Sequence, residues 1–366
     1  MSSITKPSLV NNFDVLRLIS ATLVIFAHGF ILYGYDTSVR TSDSWLATQL
    51  WSFWHFLQIN AGNLGVEVFF VISGFLISKS IISNPAQWIY WQKRLLRIMP
   101  GLAVCVLLSA LLMGPAFSKL PLATYFSEPN TWVYLVSISM YKLGSELPGV
   151  FSQNPLPEIN GSLWTLRYEF TCYIMVAVFS LIGIIRSRGI MLGLYVFLLV
   201  LIMALQFYPL SHKLEYVLIY TDLATTKLLS FVALFMTGIV YNLFQPYIQI
   251  KGWHAGLALA LTILIHQFPG LNLGGFTAPL SGVIIFWLSY LPTSAFVKHP
   301  LGNNDYSYGI YIYGMPVQQM VMALIGTSVS VGWYITISVV ATLPFAMLSW
   351  HFIEKPMLSL KPKTVG

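Results

Sequence analysis

The sequence predicts an all-α membrane protein: a polytopic bundle of about ten transmembrane helices in a single domain over residues 1–366. Three observations predict it. Hydrophobic residues make up 57% of the chain and charged residues 8%, against about 25% charged in soluble domains. The apolar residues fall into runs long enough to cross a bilayer, since a span needs about 20 residues. The positive residues collect between those runs on one side.

The apolar runs lie near 14–35, 61–81, 99–118, 162–185, 190–207, 226–244, 252–268, 276–292, 306–326 and 331–352. A run near 131–141 is too short to cross. With both termini cytoplasmic, thirteen Lys and Arg residues fall inside and six outside, as the positive-inside rule requires. The net charge of +7 therefore reflects topology, and no nucleic-acid partner is expected. Cys105 and Cys172 lie in apolar runs and read as buried free thiols. The first run lacks a small-residue cleavage site and reads as a retained anchor.

The first span carries Arg17 and His28. Eleven residues are almost three helical turns, so both fall on nearly one face, roughly 16 Å apart along the axis. Ionisable groups at such depth usually face a bundle interior and mark a functional path.

The segment 36–60 contains WLATQLWSFWHF and reads as an interfacial helix with His55 near a rim of Trp. In the second span, Gly62, Gly65, Ser73 and Gly74 let neighbouring backbones come close. Glu67 sits at a depth similar to that of His28 and is expected to hold the imidazole in one tautomer. A purely structural polar pair fits the same residues.

Next comes WIYWQKRLLRIMP, with Lys93, Arg94 and Arg97 on the cytoplasmic side. Arg94 and Arg97 share a helix face, and paired guanidiniums suit phosphate. A topology signal or lipid headgroup contact gives the same cluster. Residues 119–161 form the largest outer loop, with five prolines. It reads as a lid, an acceptor-binding cap or a plain connector.

The fourth span opens INGSLWTLRYEFTCY and places Glu169 level with His28. Trp164 and Tyr168 suit the interface or a sugar-facing wall. The ninth opens NNDYSYGIYIYGMP, where Tyr306, Tyr308, Tyr311 and Tyr313 line a cytoplasmic cavity or form an aromatic belt. The last ends SWHFIEKP, where His351 and Glu354 suggest a helix-end salt bridge. The tail beyond Pro356 reads as a disordered basic anchor. The histidines show no metal-ligand spacing, so no metal is expected.

Taken together, these pieces resemble the acyltransferase 3 family of membrane-bound acyltransferases. The resemblance rests on Arg17 followed by His28, FFVISGFLI at 69–77, RLLRIMP at 94–100, NGSLWTLRYEF at 160–170, YSYGIYIYGMPV at 306–317 and FIEKP at 352–356, all in order. The chain departs from the common pattern at Val15, Leu18 and Arg167.

The resemblance implies transfer of an acyl group, commonly acetyl, from cytoplasmic acyl-CoA to a hydroxyl of a surface glycan or undecaprenyl-linked oligosaccharide. It places the protein in a bacterial inner membrane, with no permanently bound cofactor. By the same resemblance His28 is the catalytic histidine, and Arg17, Arg94 and Arg97 handle the donor. Lys93 and Tyr311 complete the expected donor set, and Glu67 or Glu169 is expected to orient His28. A proton-coupled carrier of a glycan or small solute is the alternative, because buried His, Glu and Arg occur there too. Carriers often show paired repeats, and none is visible.

Overall fold

The computed structural model describes residues 11–34, 45–208, 216–218, 223–266, 275–292 and 304–361. The His55 side chain, His212, His299 and most of the outer part of the segment 36–60 lie outside the described residues. The fold is almost entirely helical. Its longer helices are α1 (Phe13–Leu32), α2 (Trp45–Ser83), α3 (Gln87–Leu108), α4 (Leu166–Leu181), α5 (Arg188–Phe207), α6 (Thr225–Phe244), α7 (Gly252–His266), α8 (Ala278–Ser289), α9 (Ser307–Ile325) and α10 (Val331–Ser349). Six helices among the described residues are long and apolar enough to cross a membrane, and α7 and α8 are shorter apolar helices.

α2 runs farther than its apolar core predicts, because the Trp-rich segment continues the same helix from Trp45. It packs along α1 on one side and α6 on the other. Small residues set these distances. A side chain on Gly74 would collide with the Phe235 carbonyl, and one on Gly238 with the Val71 carbonyl. The outward face of α5 is lipid-like, with Phe197 66% exposed.

α9 is the opposite case. Nearly every residue from Ser307 to Met322 is buried, including Gln318 and Gln319. It packs against α1, α3 and α10. Three tyrosines and two glutamines make it too polar to face lipid, yet inside a bundle its side chains find partners. Tyr308 donates to the Ile98 carbonyl at 2.8 Å and Gln318 to the Ile25 carbonyl at 2.9 Å.

The loop 119–161 is fastened to this core. α3 passes into a π-helical turn, Ser109–Met113. Pro115 has no N–H for the Ala110 carbonyl in that wider register, and the Tyr125 hydroxyl supplies the bond at 2.7 Å. At the far end, Asn154 donates to the Gln319 side chain at 2.7 Å, and Gln319 donates to the Leu156 and Glu158 carbonyls. The loop is therefore a packed cap and not a plain connector. Cys105 and Cys172 are buried and free, as expected.

The backbone contact between α2 and α6 sets the first prediction. Gly74→Val should destabilise the protein by about 1–3 kcal/mol or more, read as a lower Tm in detergent. Gly193 on α5 has nothing within 4 Å of an added side chain, so Gly193→Ala should leave Tm unchanged or slightly higher.

Candidate active site

One carboxylate joins the N-terminal ends of α1 and α9 to the middle of α3. Asp305 precedes α9, and its Oδ2 accepts from Arg17 of α1 at 2.7 Å and from Arg97 of α3 at 2.5 Å. The Ser307 hydroxyl donates to its other oxygen at 2.5 Å. Burial alone would raise the Asp305 carboxyl, but Arg17 and Arg97 outweigh burial and hold it well below the ordinary carboxylate range. Its stabilising contribution is thus complete above the normal aspartate range and is lost only as pH falls into strong acid. Arg97 also faces Glu354 at 3.6 Å, and Ser349 donates to Glu354 at 2.9 Å. His351 meets the Tyr306 hydroxyl at 3.1 Å, so the predicted pairing of His351 with Glu354 is replaced by separate partners.

Beside this cluster lies a cavity of about 300 Å³. Five cations line it (Arg17, Lys93, Arg94, Arg97 and Lys361) against two carboxylates, Glu169 and Asp305. Among the described residues, Lys93, Arg94 and Lys361 have no salt-bridge partner. The Arg94 guanidinium lies 6.0 Å from the Tyr173 ring centroid, and its Nε has no protein partner. Lys361 belongs to the tail expected to be a disordered anchor; instead it lines the cavity, and residues 362–366 lie outside the described residues. Burial, then Arg97, Arg94 and Lys93, pull its ammonium down to about 8. Such a surplus of donors suits a phosphate-bearing anion.

The sequence-predicted residues separate into two groups. Arg17, Lys93, Arg94, Arg97 and Tyr311 all line the cavity. Glu169 lines it too, and accepts from Ser73 at 3.1 Å and Tyr173 at 2.5 Å. Glu67 instead accepts from Ser281 of α8 at 3.0 Å. Among the described residues, neither carboxylate hydrogen-bonds His28. The partner of His28 Nδ1 is the Ser162 hydroxyl at 3.2 Å. Similar depth does not bring residues together when their helices present different faces, which is why the expected carboxylate–imidazole pair is not formed.

His28 is partly buried and is not among the residues that line the cavity; Ser162 connects it to that lining through Tyr311. Tyr311 and Thr165 belong to the lining. The Thr165 and Tyr311 hydroxyls meet at 2.5 Å, and Tyr311 donates to the Ser162 carbonyl. Because Tyr311 spends its one proton on that carbonyl, Thr165 must donate to Tyr311.

The segment that carries Ser162 is pinned by a break in α9. Pro316 has no N–H for the Ile312 carbonyl. Asn160 satisfies that oxygen at 2.8 Å and Cys105 at 3.2 Å. Asp305, Ser162, Thr165 and Lys361 were missed as site residues by sequence reasoning, whereas Glu354 was read as a helix-end salt-bridge residue and pairs with Arg97. Asp305 alone carried a usable signal: it is the one acidic residue between Asp222 and Glu354.

Asp305→Asn should cost about 3 kcal/mol of unfolding free energy, because two partly buried guanidiniums lose their shared counter-charge. Denaturation in detergent above pH 6 reads this, and unchanged stability would show that the cluster is not structural.

Comparisons with known proteins identify the family. The acyltransferase domain model of the acyltransferase 3 family matches residues 10–351. An O-acetyl transferase of Shigella phage Sf6 is 29% identical, over 95% of this chain and 96% of that protein. Nodulation protein 10 of Rhizobium leguminosarum bv. viciae is 27% identical, over 97% of this chain and 95% of the relative. The peptidoglycan O-acetyltransferase OatA of Listeria monocytogenes is 26% identical over 83% of this chain, a match that takes up 52% of that protein. No solved structure matches the chain. With a family match from end to end of the bundle, this membrane protein belongs to the acyltransferase 3 family and is an acyltransferase.

Proposed function

We propose that this protein transfers an acetyl group from acetyl-CoA to a hydroxyl of a cell-surface or undecaprenyl-linked glycan, with His28 as the base. One observation carries the reading: a cation-rich cavity whose lining is hydrogen-bonded to the residue that holds His28. The names of the phage and Listeria relatives support acetyl as the group and a glycan as the acceptor. Membership of an acyltransferase family tells against the carrier alternative.

The bundle is read as ten spans in a bacterial inner membrane, both termini cytoplasmic. The cavity then opens toward the cytoplasm, where acyl-CoA is found. Lys93, Arg94 and Lys361 would take the phosphates, since Arg17 and Arg97 are already committed to Asp305. The pantetheine arm would pass Phe69 and displace the Tyr311 ring from Ser162 to bring the thioester to His28. His28 removes the proton from the acceptor hydroxyl, and its oxygen attacks the thioester carbonyl. The C–S bond breaks, and the CoA thiolate recovers the proton from His28. Burial keeps water from the thioester.

His28→Ala should lower glycan acetylation at least about 100-fold, measured by the mass of the glycan, while acetyl-CoA affinity stays unchanged. Retained acetylation would end the reading. Labelled acetyl trapped on His28 with donor alone would replace direct attack by a covalent relay.

Acetyl-CoA binding should weaken as pH rises through about 8, where Lys361 loses its charge. Lys361→Met should flatten that dependence, as read by calorimetry from pH 6.5 to 9.5. An equally steep profile in the variant would assign the titration elsewhere.

A further inference from the structure

The geometry points to Ser162 as a positioning residue that holds the His28 imidazole in the orientation and tautomer needed for acyl transfer. This inference rests on the reading of His28 as the base. For Nε2 to accept a proton it must carry a lone pair, so Nδ1 must carry the hydrogen. The atom placed to accept that hydrogen is Ser162 Oγ, 3.2 Å away. No carboxylate does this work among the described residues, so the ring is held by a neutral hydroxyl.

The hydroxyl can hold the ring only if it is itself fixed, and three bonds from α9 fix it. Asn160, two residues before, donates to the Ile312 carbonyl that Pro316 leaves open. The Gly161 N–H points to Met315 Sδ at 2.8 Å. The Ser162 carbonyl accepts from Tyr311. Gly161 cannot gain a side chain without meeting the Glu158 carboxylate. Ser162 is 2% exposed, so water does not compete for its hydroxyl. The Nδ1–H bond is thus the one local contact that a Ser162→Ala change removes.

Tyr311 gives this arrangement a second property. Its ring lines the donor cavity while its hydroxyl holds the Ser162 backbone. The base is therefore mechanically joined to the wall that the donor must displace.

The test uses full-length protein in detergent or nanodiscs, with acetyl-CoA and the glycan acceptor. Ser162→Ala should lower kcat about 10–100-fold, the loss typical when the group orienting a functional metal-bound histidine is removed. KM for acetyl-CoA should stay within about twofold. Ser162→Thr, which restores the hydroxyl, should recover most of kcat. Acetyl-CoA affinity checks that each variant is folded. A kcat for Ser162→Ala within about twofold of wild type would overturn the inference, as would an equal fall in the alanine and threonine variants. His28→Ala is measured alongside. If it retains transfer, the base reading fails and this inference with it. If it is inactive while Ser162→Ala is normal, only the role of Ser162 fails.

Discussion

The contact on which the rest depends is the Asp305 carboxylate between two guanidiniums. It ties α1 to α3 at the foot of α9, through bonds of 2.7 and 2.5 Å. Unpaired, any of these charges would be expensive between apolar helices. Paired, they join the starts of α1 and α9 to the middle of α3 and use up two of the five cations near the cavity. The remaining three share the cavity with Glu169 alone, which leaves it a surplus of positive charge. One structural bond thus decides which arginines hold the fold and which basic side chains are free to bind.

α9 connects this foot to the proposed reaction centre. It is polar enough to need a protein surround, and α1, α3 and α10 provide one. Its proline opens a backbone acceptor at Ile312, and the start of α4 is anchored to it through Asn160. Irregular backbone at membrane depth is tolerated where protein satisfies it. Here the irregularity delivers the Ser162 hydroxyl to His28. The Tyr311 ring lines the basic cavity while its hydroxyl holds the Ser162 backbone, so in the proposed reading donor arrival and base placement share one side chain.

Much of this was legible in the sequence for a simple reason. Hydropathy, charge bias and the Arg17–His28 spacing are local properties, and the span positions and basic cluster follow from them. The long-range partners are not local. Asp305 lies 288 residues from Arg17 and 208 from Arg97, so no periodicity joins them. Glu67 and Glu169 were placed beside His28 by depth alone, but depth leaves the rotation of a helix undetermined. Glu67 turns toward α8 and Glu169 into the cavity. The Ser162 contact needs the Pro316 break and the Asn160 bond together, a coincidence of three segments. Lys361 was dismissed with its tail because a basic terminus ordinarily stays in water.

An experimental structure with acetyl-CoA bound measures the central claim most directly. The account predicts phosphates on Lys93, Arg94 and Lys361, the Tyr311 hydroxyl parted from the Ser162 carbonyl, and the thioester carbon within reach of His28. A donor seated away from the basic cavity, or a thioester halted on the near side of an unmoved Tyr311, would contradict it.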